Sequence, residues 1–171
     1  MIIDCLSKAI LLFVVYNIVA LILYGVPHSL SNTHYLFKQS NESLKFLFPA
    51  FITLLCLFLI PCWLELSKGS LFQFTVFLSG GSLLFVGASP YFKNGDLEGM
   101  VHQISAYMCA GFAILWIILV TKFWWIILIV FGIIAAIAII TKTWKTCYIY
   151  WLEMVAFIST FISMIAHYLM K

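Results

Sequence analysis

The sequence predicts an all-α fold, a polytopic transmembrane bundle of six helices, and three observations lead there. Apolar residues fill 65% of the 171 positions and charged residues only 9%, where soluble domains run near about 45–50% and about 25%. Six apolar stretches approach the roughly 20 residues that a helix needs to cross a hydrocarbon core of about 30 Å. The few charges fall almost entirely between those stretches. Mean hydropathy, at +1.14, agrees. A soluble globule of this size could not hide so much apolar surface. Barrel strands would be about 10 residues long with alternating polarity, and the runs here are longer and unbroken.

The stretches follow in order. Residues 9–26 come after Asp4 and Lys8, and their near-spanning length without a small-residue cleavage site favours a retained helix over a signal peptide. Residues 46–64 close at Glu65 and Lys68, and residues 71–89 end at Pro90. Residues 101–120 stop before Lys122, residues 123–140 before Lys142 and Lys145, and residues 147–170 carry one acid, Glu153. No repeat or linker divides the chain, so residues 1–171 form a single membrane domain.

Trp63, Trp124, Trp125, Trp144 and Trp151 fall near the predicted helix ends, where amphipathic rings favour the headgroup level; Trp116 is deeper. Lysines divide four against five between the two sides, so charge alone leaves the orientation open. The five cysteines form no CxxC and behave as small apolar residues. The chain has no arginine and no basic cluster, which excludes a nucleic-acid partner. Small residues from Ser79 to Ala88, and Ser105, Cys109 and Ala113, read as close helix packing.

Polar residues at depth carry the functional signal, because lipid penalises unpaired polar groups. An up-and-down path puts His28, Ser29, Ser31, Asn32, His34, Asp96, Glu98, His102 and Glu153 on one face, with His167 at the opposite mouth. Glu153 would lie about 8–9 Å inside the last helix at 1.5 Å per residue. An acid there should face the bundle and either be protonated or pair with a donor, for which His102 is the natural candidate. Glu98 and His102 stand at i, i+4 spacing. Metal binding would need three or four converging ligands, and no HxxxH or HExxH organises the set, so no cofactor is expected. The run SLSNT after Pro27 lacks GxSxG or a paired lysine, and turn chemistry explains its serines better than a nucleophile does. Facing histidines for haem and the charge rings of a channel are both absent from the sequence.

Three segments carry a family resemblance: PHSLSNTHY at residues 27–35, VGASPYFKNGDLEGMVHQISA at 86–106, and YWLEMVAFISTF at 150–161. With six helices, they make the chain resemble the DRAM-like family of eukaryotic membrane proteins and related bacterial six-helix proteins. Pro27 and Ser31 stand one residue further apart than in the family motif, and Asn32 and Met154 replace its usual Asp and Trp. The resemblance implies roles for Ser31, His102 and Glu153, involvement with membrane lipid or lipid-linked glycans, and both termini in the cytoplasm. The bacterial likeness implies a bacterial plasma membrane. A fainter similarity is to the ceramidase-type membrane hydrolases, whose late paired histidines are missing here.

The functional expectation is a polar pocket handling lipid or a lipid-linked molecule, with Glu153 and His102 at its base and Ser31 on its rim. His28, His34, Asp96 and Glu98 would surround it. Binding is favoured over catalysis. One alternative is a metal-assisted hydrolase or acyl transferase using His102, Asp96 and Glu153. Another is a non-catalytic subunit or effector that contacts a membrane protein partner or a second copy of the chain.

Overall fold

A computed structural model describes residues 2–93 and 96–170, with the side chain of Asp96 outside the description. Among the described residues the chain is all-helical, with seven α-helices and no strands. They are α1 (Ile2–Tyr24), α2 (Thr33–Ser40), α3 (Leu47–Leu66), α4 (Phe74–Ala88), α5 (Asp96–Trp116), α6 (Trp124–Ile140) and α7 (Tyr148–Leu169). A 3-10 turn (Glu42–Phe46) leads into α3, and a π turn (Ile117–Thr121) ends α5.

Four helical segments are long and apolar enough to cross a membrane: Ile2–Tyr24, Glu42–Leu66, Leu97–Thr121 and Tyr148–Leu169. α4 and α6 are apolar but shorter. α1 starts earlier than its apolar run because Asp4 and Lys8 pair at 2.7 Å across one turn and continue the helix toward water. It ends at Gly25, whose φ of 69° supplies the left-handed turn and whose N–H donates to Leu21 O. α3 tolerates Pro49 in its first turn and carries Pro61 within its last two turns, where the ring removes one backbone donor.

Consecutive long helices pack side by side: α1 on α3, α3 on α4, α4 on α5, and α6 on α7. α7 is the hub, since it also meets α3 and α5 and packs Phe157 and Phe161 against Phe13 of α1 at 4.9 and 5.4 Å. The outward surfaces stay apolar: Leu71 is 91% exposed, Ile140 79% and Ile22 76%. A water-facing protein does not leave large side chains so open over its whole circumference, and the four long helices place this chain in a membrane.

α2 is an element that period alone does not announce, since eight residues are too few to be a stable helix without tertiary support. It forms because Thr33, His34 and Phe37 are buried, with Phe37 packed on Tyr16 and Tyr24 of α1. Trp63, expected at an interface, is 2% exposed and meets Trp116 edge-on at 5.4 Å. Trp116 in turn donates to Ser67 Oγ at 2.7 Å. Both rings fill the core because each faces another helix. Trp124 and Trp125 remain open to the surroundings, as belt residues do.

Candidate functional site

Loop one does not run over the surface. Between Gly25 and α2 it folds into the mouth of the bundle, burying Ser29, Leu30, Ser31, Asn32, Thr33 and His34. Hydrogen bonds to the start of α7 hold it there. The Tyr150 N–H donates to His28 O at 3.1 Å, and the His28 ring nitrogen Nδ1 donates to Thr146 O at 2.7 Å. The Cys147 thiol donates to Val26 O. In return, the Leu30 N–H donates to Glu153 Oε2 at 2.5 Å. Loop and helix exchange donors and acceptors much as a helix cap does, so few backbone groups of the re-entrant segment stay unsatisfied. Tyr150 adds a lateral tie to α1 through its hydroxyl, which donates to Asn17 Oδ1.

Beneath this plug lies a cavity of about 70 Å³, bounded by α3, α4, α5 and α7 with Leu30 and Ser31 as its roof. Its walls are mostly apolar, including Ile52, Leu83, Ala113 and Phe161. Among the described residues Glu153 is the sole acidic or basic side chain that lines it, apart from the Cys109 thiol. Among the described residues no donor reaches Glu153 Oε1, while Oε2 is fixed by Leu30. Ser31 Oγ lies 3.1 Å from Ser29 Oγ, which also accepts the Asn32 N–H. Lower down, Ser79 donates to Cys109 O at 2.8 Å, joining α4 to α5 along the cavity wall.

The cavity is sealed on one side and looser on another. The α3 residues facing it, Phe48, Ile52, Leu59 and Trp63, are at most 3% exposed. Ala106, Cys109 and Ala110 on α5, and Ala156 and Phe157 on α7, are only half-buried. Small residues separate α5 from α7, which meet at few positions. These two helices form the looser wall of the cavity.

His102 does not pair with Glu153. Its Nδ1 donates to Ser89 O at 2.9 Å, its ring stacks on Phe92 at 4.5 Å, and it is not among the cavity-lining residues. The backbone carbonyl of Ser89, just past α4, is its acceptor and ties the imidazole of α5 to loop three, the segment that joins α4 to α5. Glu98 likewise serves its own loop by accepting the Tyr91 N–H. Gly99 permits that fold, since a Cβ there would meet Phe92 O at 2.7 Å. His34 packs edge-on against Tyr91 at 4.8 Å, and burial holds its imidazole below the usual histidine range.

Lys93 then closes the two loops together. Its Nζ donates to Asn32 Oδ1 at 2.7 Å and lies 4.6 Å from the Tyr35 ring centre, while its backbone N–H donates to the Tyr35 hydroxyl. The sequence-predicted residues thus divide. Ser31 and Glu153 line the cavity, with His28 anchoring the loop beside them. His34, Glu98 and His102 build a clasp between loops one and three. Asp96 lies outside the described side chains. Among the described residues no three His, Cys, Asp or Glu side chains gather as a metal site would require.

Sequence reasoning missed Leu30, whose backbone matters and whose side chain gives no polar signal. It also read Ser79 and Cys109 as packing alone, although they form the polar seam of the cavity wall. Neither a known protein family, nor a curated protein, nor a solved structure matches this chain.

Proposed function

We propose that the chain is an integral membrane protein crossing the bilayer six times and that its cavity binds a membrane amphiphile. One observation carries the reading: a single carboxylate faces a mostly apolar chamber, directly below a plug of buried loop. An intramembrane acid is costly and is retained where it meets a partner. Leu30 supplies a donor to one oxygen only, and an apolar chamber with one oriented polar group is the usual form of a ligand site. The hydrolase alternative draws less support, because His102 is engaged by Ser89 O and, among the described residues, no histidine or second carboxylate lines the cavity beside Glu153.

The test is to fill the chamber. Ala113, 6% exposed, lines it on α5, and Ala113→Phe would occupy the space. Wild-type protein extracted in mild detergent should retain a bound amphiphile at a fixed ratio by native mass spectrometry, and the variant should lose it. Equal retention by both overturns the reading.

A further inference from the structure

Resting on that reading, we infer that the ligand is a single-chain amphiphile whose head carries an N–H or O–H donor, entering from the bilayer between α5 and α7. Three features of the cavity lead to this class. The first is size. A cavity of about 70 Å³ has about half the roughly 150 Å³ of an apolar cavity that takes up benzene. A few carbons of one narrow alkyl chain fit, with the rest of the chain lying in the seam between α5 and α7, and the paired chains of a bilayer phospholipid do not. The second is length. From Glu153 to Phe161 the wall follows α7 for about 12 Å at 1.5 Å per residue, which makes the chamber a slot with its polar end at Glu153.

The third is the head. Glu153 Oε1 has no donor among the described residues, whereas the Leu30 N–H fixes the carboxyl group through Oε2. Ser31 at the same end is engaged with Ser29. A hydroxyl donates as well as accepts, so it pairs with the carboxyl group whether or not that group holds a proton. An amine pairs with the carboxylate, and an ester, which only accepts, leaves the carboxylate unpaired against apolar walls, which is unfavourable. The half-buried alanines 106, 110 and 156 mark where a chain passes in, since small side chains leave a seam between helices. The plug of loop one covers the aqueous side, so the path from water is the longer one.

The experiment places full-length protein in nanodiscs of a zwitterionic diacyl lipid and titrates 1-dodecanol, 1-dodecylamine and methyl dodecanoate, following thermal unfolding and native mass spectra. The two donor-bearing probes should bind about tenfold more tightly than the ester, the difference that one hydrogen bond makes. Ala113→Phe should abolish binding of all three; Ala110→Leu serves where that variant does not fold. Glu153→Leu should erase the preference for donors. If the ester binds wild-type protein as tightly as the alcohol while the filled variants bind nothing, the head assignment is overturned and the binding cavity stands. If the filled variants bind all probes unchanged, the cavity reading itself falls. The wild-type comparison needs no substitution, so a variant that misfolds leaves the result readable.

Discussion

Glu153 shows how one side chain serves loop and cavity together. Its Oε2 satisfies the Leu30 N–H, a backbone donor in a residue only 3% exposed. Glu153→Gln keeps a carbonyl acceptor for that donor, whereas Glu153→Leu leaves it unpaired at a cost of about 1–3 kcal/mol. Unfolding in mixed micelles should rank wild type and Glu153→Gln together, with Glu153→Leu lower by that amount; equal stability of the two variants would show that Leu30 finds another acceptor. His34 gives a pH prediction at the same scale. Burial disfavours its imidazolium, with the nearby Lys38 adding to the effect and Glu98 and Glu42 opposing it. The unfolded chain then holds more protons between the ordinary histidine value near 6.5 and the lower folded one. The contribution of His34 is therefore full above that ordinary value and is lost as pH falls through the window. Thermal stability of wild type should drop more than that of His34→Phe between pH 7.5 and pH 5, since Phe keeps the edge contact with Tyr91 without the titration. Parallel profiles would remove His34 from the account.

Among the elements, α4 depends on close approach. A Cβ at Gly87 would meet Ile52 Cγ2 at 2.8 Å and Cβ at 3.0 Å. Those atoms sit next to the α3 backbone and have little freedom to move. A Cβ at Gly80 would meet the outer atoms of Ile60 at 2.8 Å, and a half-buried isoleucine can swing its end away. At Gly81 nothing lies within 4 Å. Gly87→Ala should cost about 1–3 kcal/mol by overpacking, Gly80→Ala less, and Gly81→Ala nothing, with a gain of up to about 1 kcal/mol from helix propensity. Unfolding midpoints of the three variants check this order, and a Gly81→Ala loss as large as that of Gly87→Ala would refute the packing account. The same helices show what was legible beforehand. Apolar run length locates α3, α4, α6 and α7 to within three residues at each end, whereas α1 and α5 begin seven and five residues before their apolar runs, because their first turns are polar. α2 was not legible, since its stability comes from Tyr16 and Tyr24 on a distant helix. Glu153 and Ser31 could be picked out because polar groups at depth are rare. The diversion of His102 to Ser89 O could not, because periodicity and spacing carry no information about which backbone carbonyl a ring will find.

For the whole molecule, the contacts at the two ends of the bundle support the proposal of six crossings even though α4 and α6 are short. At one end, Trp116 at the close of α5 donates to Ser67 just past α3, so these two helix ends lie together. At the other, Lys93 before α5 holds Asn32 at the start of α2, the short helix that leads through the 3-10 turn into α3. The chain leaves the first end at Ser67 and arrives at the second by Lys93, so α4 must carry it across. In the same way α6 runs from Lys122, beside the end of α5, to Thr146, which accepts from His28 in the loop-one plug. At 1.5 Å per residue, α4 and α6 rise about 22 and 25 Å, short of a hydrocarbon core of about 30 Å. Mismatch of about 5–8 Å is accommodated by local thinning or by interfacial residues, at fractions of a kcal/mol per Å, and Trp124 and Trp125 open α6 while Trp144 follows it. Single-cysteine variants in a background without the native cysteines, treated in sealed vesicles with an impermeant maleimide, test this path. Cysteines at Lys8, Lys68 and Lys122 should react from one side, and those at Lys93 and Lys142 from the other. Labelling of positions 68 and 93 from the same side would mean that α4 turns back within the membrane, and the cavity it walls would then lie at an interface rather than in a bundle core.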